Sequence, residues 1–127
     1  MRRLVLSDVH VPFHDRRRLR EVIRRMRAEK FDAIDLLGDF IDCYSISRFD
    51  KDPTRKLSLS DEVNASIEVL YELRKAAPKA KFSYTAGNHE DRLRKYLWGR
   101  AKELGTLAGL TIPKILRLDE FAVTWYS

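Results

Sequence analysis

The sequence predicts an α/β domain built on a mainly parallel sheet. Short apolar, strand-like runs alternate with longer segments of helical periodicity, in the order β-α-β-α-β-α-β. That alternation favours a parallel sheet with helices on its faces. Three of the strand-like runs also end in the same way. Leu4–Ser7 leads into Asp8-Val9-His10, Ala33–Leu37 into Gly38-Asp39-Phe40-Ile41-Asp42, and Phe82–Ala86 into Gly87-Asn88-His89-Glu90. Such shared exits suit the carboxyl ends of adjacent parallel strands, where open α/β sheets place their sites.

Each element has a local reason. Residues 2–7 read as the first strand. Asp15 can cap a helix over about 16–29, which carries Leu19, Val22, Ile23 and Met26 at i, i+3, i+4, i+7 spacing. Residues 32–37 form the second strand. Residues 43–59 lack periodicity and read as a long polar loop that can overhang the site. Ser58 or Ser60 caps a helix over about 61–76, with Val63, Ile67, Leu70 and Tyr71 on its apolar face and Pro78 as its stop. Residues 80–86 form the third strand. A helix from about 89 to 104 carries Leu93, Leu97 and Leu104, and Gly105 can end it. Residues 115–118 and 121–126 read as two short strands linked by a turn at Asp119-Glu120.

Length and composition bound the rest. A chain of 127 residues makes one domain and no more. No apolar run approaches the roughly 20 residues that span a bilayer, and no signal peptide is evident, so no membrane partner is expected. Cys43 is the only cysteine, which excludes an intramolecular disulfide and fits a reducing, cytoplasmic setting. The net charge is +6, and Arg16, Arg17, Arg18, Arg20, Arg24, Arg25, Arg27 and Lys30 crowd one segment. Such a face attracts polyanions when it is not simply a solvated helix surface. The chain stops at Ser127, directly after a strand, and reads as a domain cut short.

The strand exits carry the chemistry. Divalent cations take carboxylate, imidazole and amide oxygen ligands. Asp8 and His10, two apart at a strand end, can reach one ion. Asp39 follows Gly38 and can bridge two ions with its two oxygens, and Asn88 follows Gly87 and offers a neutral oxygen. Two ions about 3.5–4 Å apart clamp a phosphoryl group. His89, beside Asn88, suits proton donation to a leaving oxygen, and Asp42 can orient its ring. Singly, Gly-Asp and Gly-Asn are ordinary turn dipeptides. Jointly, in one position type and in the order one sheet requires, they point to a metal site.

Asp8-Val9-His10, Gly38-Asp39-Phe40-Ile41-Asp42 and Gly87-Asn88-His89-Glu90 resemble the first three signature motifs of the calcineurin-like metallophosphoesterases, D-x-H, G-D-x-x-D and G-N-H-[DE]. Ser7–Asp15 and Gly87–Leu93 also resemble a bacterial and phage subgroup. The resemblance covers residues 1–127 as the N-terminal part of a four-layer α/β/β/α sandwich. It implies a two-metal site of Mn, Fe or Zn, with Asp8 and His10 on the first metal, Asp39 bridging, Asn88 on the second, His89 as the acid and Asp42 as its partner.

Departures from the pattern bear on activity and substrate. The family has two further motifs, a lone His and then Gly-His-x-His, and no histidine follows His89 here. His14 sits in a loop and supplies one imidazole where three are missing. The second metal site is therefore expected to be incomplete and this chain to be inactive or weak alone. The Ser/Thr protein phosphatases of the family carry arginines where Cys43 and Ala86 stand, which argues against a protein phosphatase. Arg48 and Arg92 are the candidate phosphate contacts.

The leading expectation is a metal-dependent hydrolase of phosphate mono- or diesters, with nucleic acid or nucleotides favoured by the basic charge. The alternative is a catalytically incomplete binding or scaffold module of the same fold. Glu90 and Asp91 are read as acidic residues favouring a helix N-terminus, and Asp35, inside an apolar strand, receives no role. Homo-oligomers of this chain are expected from exposed apolar surface and an unpaired strand edge.

Overall fold

Four parallel strands form one sheet in the order β1-β2-β3-β4: β1 (Arg3–Leu6), β2 (Ala33–Leu37), β3 (Lys81–Thr85) and β4 (Val123–Tyr126). The computed structural model describes residues 1–47, 51, 54 and 57–127. The connecting helices are α1 (Arg16–Glu29), α2 (Leu59–Ala76), α3 (Asp91–Arg100) and the single-turn α4 (Ile112–Ile115). The expected α/β class and parallel sheet are both present. Register is continuous across the sheet, with Leu4 beside Ile34, Ile34 beside Phe82, and Phe82 beside Val123. These four belong to one face, because alternate residues of a strand point the same way.

The chain advances one strand at a time in one direction. Right-handed crossovers then carry every connecting helix to the same face, and α1 packs beside α2 there. Ile34, Leu36, Phe82, Tyr84 and Val123 of the strands are buried in this core with Met26, Leu70 and Leu73 of the helices. The opposite face is partly open: Val5 and Leu37 are each 48% exposed. Asp35 belongs to that face. It pairs with Arg3 at 2.5 Å and accepts from the Ser83 hydroxyl at 2.7 Å, so a carboxylate inside an apolar strand is satisfied by its two strand neighbours. Its own face is polar rather than core, which explains the break in the apolar run.

The capping expectations hold at both long helices. The Asp15 carboxylate accepts from the Arg18 amide at 3.0 Å. Of the two candidate serines, Ser58 caps α2 through a reciprocal box with Asp61. The buried face of α2 is rotated from the one expected. It runs through Glu62, Ser66, Val69, Leu70, Leu73 and Ala76, whereas Tyr71 is 54% exposed. Glu62 explains the rotation. It is fully buried and accepts from the Tyr44 and Ser45 amides at 2.7 and 3.1 Å and from the Ser45 hydroxyl at 2.7 Å. A carboxylate with three donors counts as core, which no apolar periodicity registers.

Three further expectations are corrected. The third helix starts at Asp91 and ends at Arg100, short of residue 104, and Leu104 lies exposed in a separate 3-10 turn (Lys102–Leu104). Gly99, a weak helix former, precedes the break at Ala101. Residues 115–118 are not a strand. Pro113 opens α4, and a 3-10 turn follows over Leu118–Phe121. Leu116 and Leu118 are buried from these turns, which an alternating pattern mimics. The last strand therefore lies parallel to β3 and is not the second arm of a hairpin. Residues 43–59 hold a 3-10 turn (Tyr44–Ile46) and the start of α2, while residues 48–50, 52, 53, 55 and 56 of the expected overhanging loop lie outside the described residues. Among the described residues no helix is long and apolar enough to cross a membrane.

Candidate metal centre

Past the strand ends, the β1 and β2 exits continue side by side. The Asp8 amide donates to Gly38 (3.3 Å), His10 to Asp39 (2.9 Å), Val11 to Phe40 (2.7 Å) and Asp42 to Val11 (2.9 Å). This backbone ladder sets Asp8 and His10 directly beside Asp39 and Asp42. It also requires unusual backbone. Asp8, His10 and Asp39 all lie in the left-handed region, at φ 55°, 57° and 52°, with Gly38 at 74°. Such conformations cost free energy in residues with a Cβ and collect at functional sites, where surrounding structure imposes them.

The β3 exit is tied to the same loops by Glu90. This carboxylate, 3% exposed, accepts from the amides of Asp39 (2.6 Å), Phe40 (2.8 Å), Ile41 (3.2 Å) and Gly87 (2.7 Å), and from the Tyr84 hydroxyl (2.8 Å). Burial, then the Glu90 charge, push the Tyr84 phenol well up, so it remains a donor. The reading of Glu90 as a helix-dipole residue is thus corrected. It makes no side-chain capping bond at α3 and is the joint between two strand exits. Sequence carried one signal of this: the glycine loops leave backbone N–H groups without strand partners, and a neighbouring acid is the acceptor they need. Asp91 instead binds Arg94 in the first turn, at 2.6 and 2.7 Å.

Close backbone approach explains the two glycines. A Cβ on Gly87 would stand 2.5 Å from Asp39 Oδ1 and 2.7 Å from its amide nitrogen, and one on Gly38 2.9 Å from the Gly87 Cα. Gly87→Ala is expected to push Asp39 out of place and to cost roughly 2–3 kcal/mol of stability. Urea denaturation and Mn²⁺ titration of the variant check both effects.

Ligand-type atoms of His10, Asp39 and His89 all lie within 4.8 Å of one another. The Asp39 carboxylate also accepts from the His89 amide at 2.8 Å. The His10 and His89 ring centroids are 4.6 Å apart. Asp42, nearly buried, sits between these imidazoles, its Oδ1 3.3 Å from His10 Nδ1 and 3.2 Å from His89 Nδ1. His89 Nδ1 lies 2.9 Å from the Asp42 carbonyl. A carbonyl only accepts, so Nδ1 carries the proton of that bond and Nε2 is left as the acceptor. The Arg92 guanidinium sits 3.3 Å from that Nε2 and donates to the Asp42 carbonyl at 2.8 Å. Asp8 stands at the rim, its Oδ1 3.7 Å from His10 Nε2. The Ser7 hydroxyl, His10 and Asp39 hold its carboxyl below the usual range.

The donor set fits a hard or borderline divalent cation: carboxylate oxygen and imidazole nitrogen at one point. One further observation agrees. His10 Nδ1 is buried and makes no well-formed hydrogen bond, although Asp42 Oδ1 stands 3.3 Å away, so the ring is held beside a carboxylate rather than locked by it. Asn88 is exposed and lines a cleft of about 740 Å³ beside α3 and α4. Arg48 lies outside the described residues.

Cys43, next to Asp42, is fully buried, and burial followed by the Glu62 and Glu90 charges pushes its thiol well up. It should be inert to a disulfide reagent such as DTNB in the native protein at neutral pH. One equivalent should react once the chain is unfolded in urea, and native labelling at the denatured rate would contradict this burial.

The family model for calcineurin-like phosphoesterases matches residues 1–121. No curated protein and no solved structure gives a match. The matched span contains all three strand exits, the ladder between the first two and the Glu90 joint. The chain belongs to the calcineurin-like phosphoesterase family.

Proposed function

We propose that the chain hydrolyses phosphate mono- or diesters with the help of two divalent cations, Mn, Fe or Zn. The convergence of His10, Asp39 and His89 on one point, with His10 and Asp39 on backbone held in left-handed conformations, carries this reading. Asp8 and His10 would hold one ion, Asp39 would be shared, and Asn88 would serve the other. A divalent pair supplies positive charge to a phosphoryl group and acidifies bound water. The remaining work falls to side chains. His89 would act as the acid in its doubly protonated form, giving the Nε2 proton to the leaving oxygen while Nδ1–H stays on Asp42, which fixes the ring. Arg92, already engaged with Asp42 and His89, adds a guanidinium at the place where a phosphoryl charge would lie. A reducing, cytoplasmic compartment suits the single buried thiol.

The test is hydrolysis of bis(4-nitrophenyl) phosphate with added Mn²⁺. Metal-dependent turnover that His89→Ala abolishes supports the hydrolase. The alternative reading is a binding module of the same fold. Metal-independent partner binding without turnover would support it instead.

A further inference from the structure

Helix α1 holds nearly all of the chain's excess charge. Residues 15–30 contain seven arginines and one lysine against three acids, a net +5 of the chain's +6. The acids do not neutralise this evenly. Arg18 pairs with Asp15, Arg24 with Glu21 and Arg25 with Glu29. Arg16, Arg17, Arg20 and Arg27 are exposed and form no ion pair among the described residues. Arg16, Arg20, Arg24 and Arg27 fall at i, i+4, i+8 and i+11. At about 100° per residue they occupy one stripe about 80° wide and about 16 Å long. Three of them line the groove between α1 and α2, where Glu72 is the one acid. Arg18, Arg25 and Glu29 lie on the other flank, while Glu21 borders the stripe and pairs with Arg24 at its edge.

Helix stability does not account for this placement. The first turn of α1 contains Arg16, Arg17 and Arg18 and no acid. Cations there oppose the positive end of the helix dipole. A local rule broken without a structural gain points to function. The position is also informative. The chain enters α1 six residues after His10, so Arg16 stands at the end of the sheet that carries the metal cluster, and the stripe runs away from it.

We infer that this stripe is a docking surface for the phosphate backbone of double-stranded nucleic acid, leading toward the candidate metal centre. The inference rests on the phosphoesterase reading for the nature of the site it leads to. Two features select this occupant. The apolar residues Leu19, Val22, Ile23 and Met26 all pack inward, so the helix has no face to insert into a membrane. No aromatic residue interleaves with the arginines, so the surface suits charged backbone rather than stacked single-stranded bases.

Fluorescence anisotropy of a labelled DNA duplex of about 20 base pairs, in EDTA and between about 50 and 200 mM NaCl, tests it. The unaltered 127-residue chain should bind with an affinity that falls steeply with salt. Arg20→Gln/Arg27→Gln should flatten the log–log salt slope by about 1.8, near 0.9 per lost phosphate contact, and weaken binding at least about tenfold. Arg18→Gln/Arg25→Gln removes the same charge from the other flank and should weaken it less than about threefold. Arg16→Gln/Arg17→Gln should lower affinity while raising Tm. Equal losses from the two flanks, or no duplex binding by the unaltered chain, would overturn the docking surface. Turnover of the small diester is read separately. Duplex binding without turnover retains the surface and rejects the phosphoesterase reading, and turnover without duplex binding does the reverse.

Discussion

Glu90→Ala is expected to destabilise the domain by at least about 4 kcal/mol, enough to unfold much of the population. The wild-type carboxylate takes hydrogen bonds from four backbone amides and the Tyr84 hydroxyl in a site closed to water. Removing it strands those donors, each at about 1–3 kcal/mol before relaxation. Full additivity would exceed what any single residue contributes, so the lower figure is the expectation. Against a typical total of about 5–15 kcal/mol it is decisive. Glu90→Gln keeps the shape but turns an N–H₂ group toward other donors, and about 2 kcal/mol is expected. Urea denaturation monitored by tryptophan fluorescence measures both. A Glu90→Ala midpoint equal to wild type would mean that the β2 and β3 exits are joined by something else.

The second large effect is on metal affinity. Asp39→Asn is nearly isosteric, and its amide oxygen can still accept from the His89 amide, so the fold should survive. What it loses is the negative charge at the centre of the His10–Asp39–His89 cluster. Mn²⁺ affinity by titration calorimetry should fall at least about 100-fold, beyond the effect usual for residues that merely support a ligand. Asp35→Asn is the matched control. It alters a carboxylate inside β2, four residues before Asp39, that is bound to Arg3 and Ser83, and should leave Mn²⁺ binding unchanged. If the two variants bind Mn²⁺ equally well, Asp39 is not a ligand.

Legibility in the sequence followed the range of the interaction. Helix α1 and strands β1 to β3 are readable because their signals are local: an apolar period, a capping Asp15, a glycine after the second and third strand runs. The strand exits are readable for the same reason, since parallel order brings Asp8, His10, Asp39, Asp42 and His89 to one end of the sheet. The buried carboxylates were not. Glu62 and Glu90 owe their burial chiefly to amides 17 to 51 positions away, and hydropathy scores both as surface residues. The segment before β4 failed differently. Buried Leu116 and Leu118 alternate like a strand, yet Pro113 and the left-handed Arg117 and Ala122 wind the chain into turns.

The most direct test is an anomalous diffraction map at the manganese edge from crystals of this chain grown with Mn²⁺. Density is expected within bonding distance of the Asp39 carboxylate and a His10 ring nitrogen, at the mouth of the β1 and β2 exits. A map with manganese bound elsewhere, or with none while Asp39 and His10 keep their places, would contradict it.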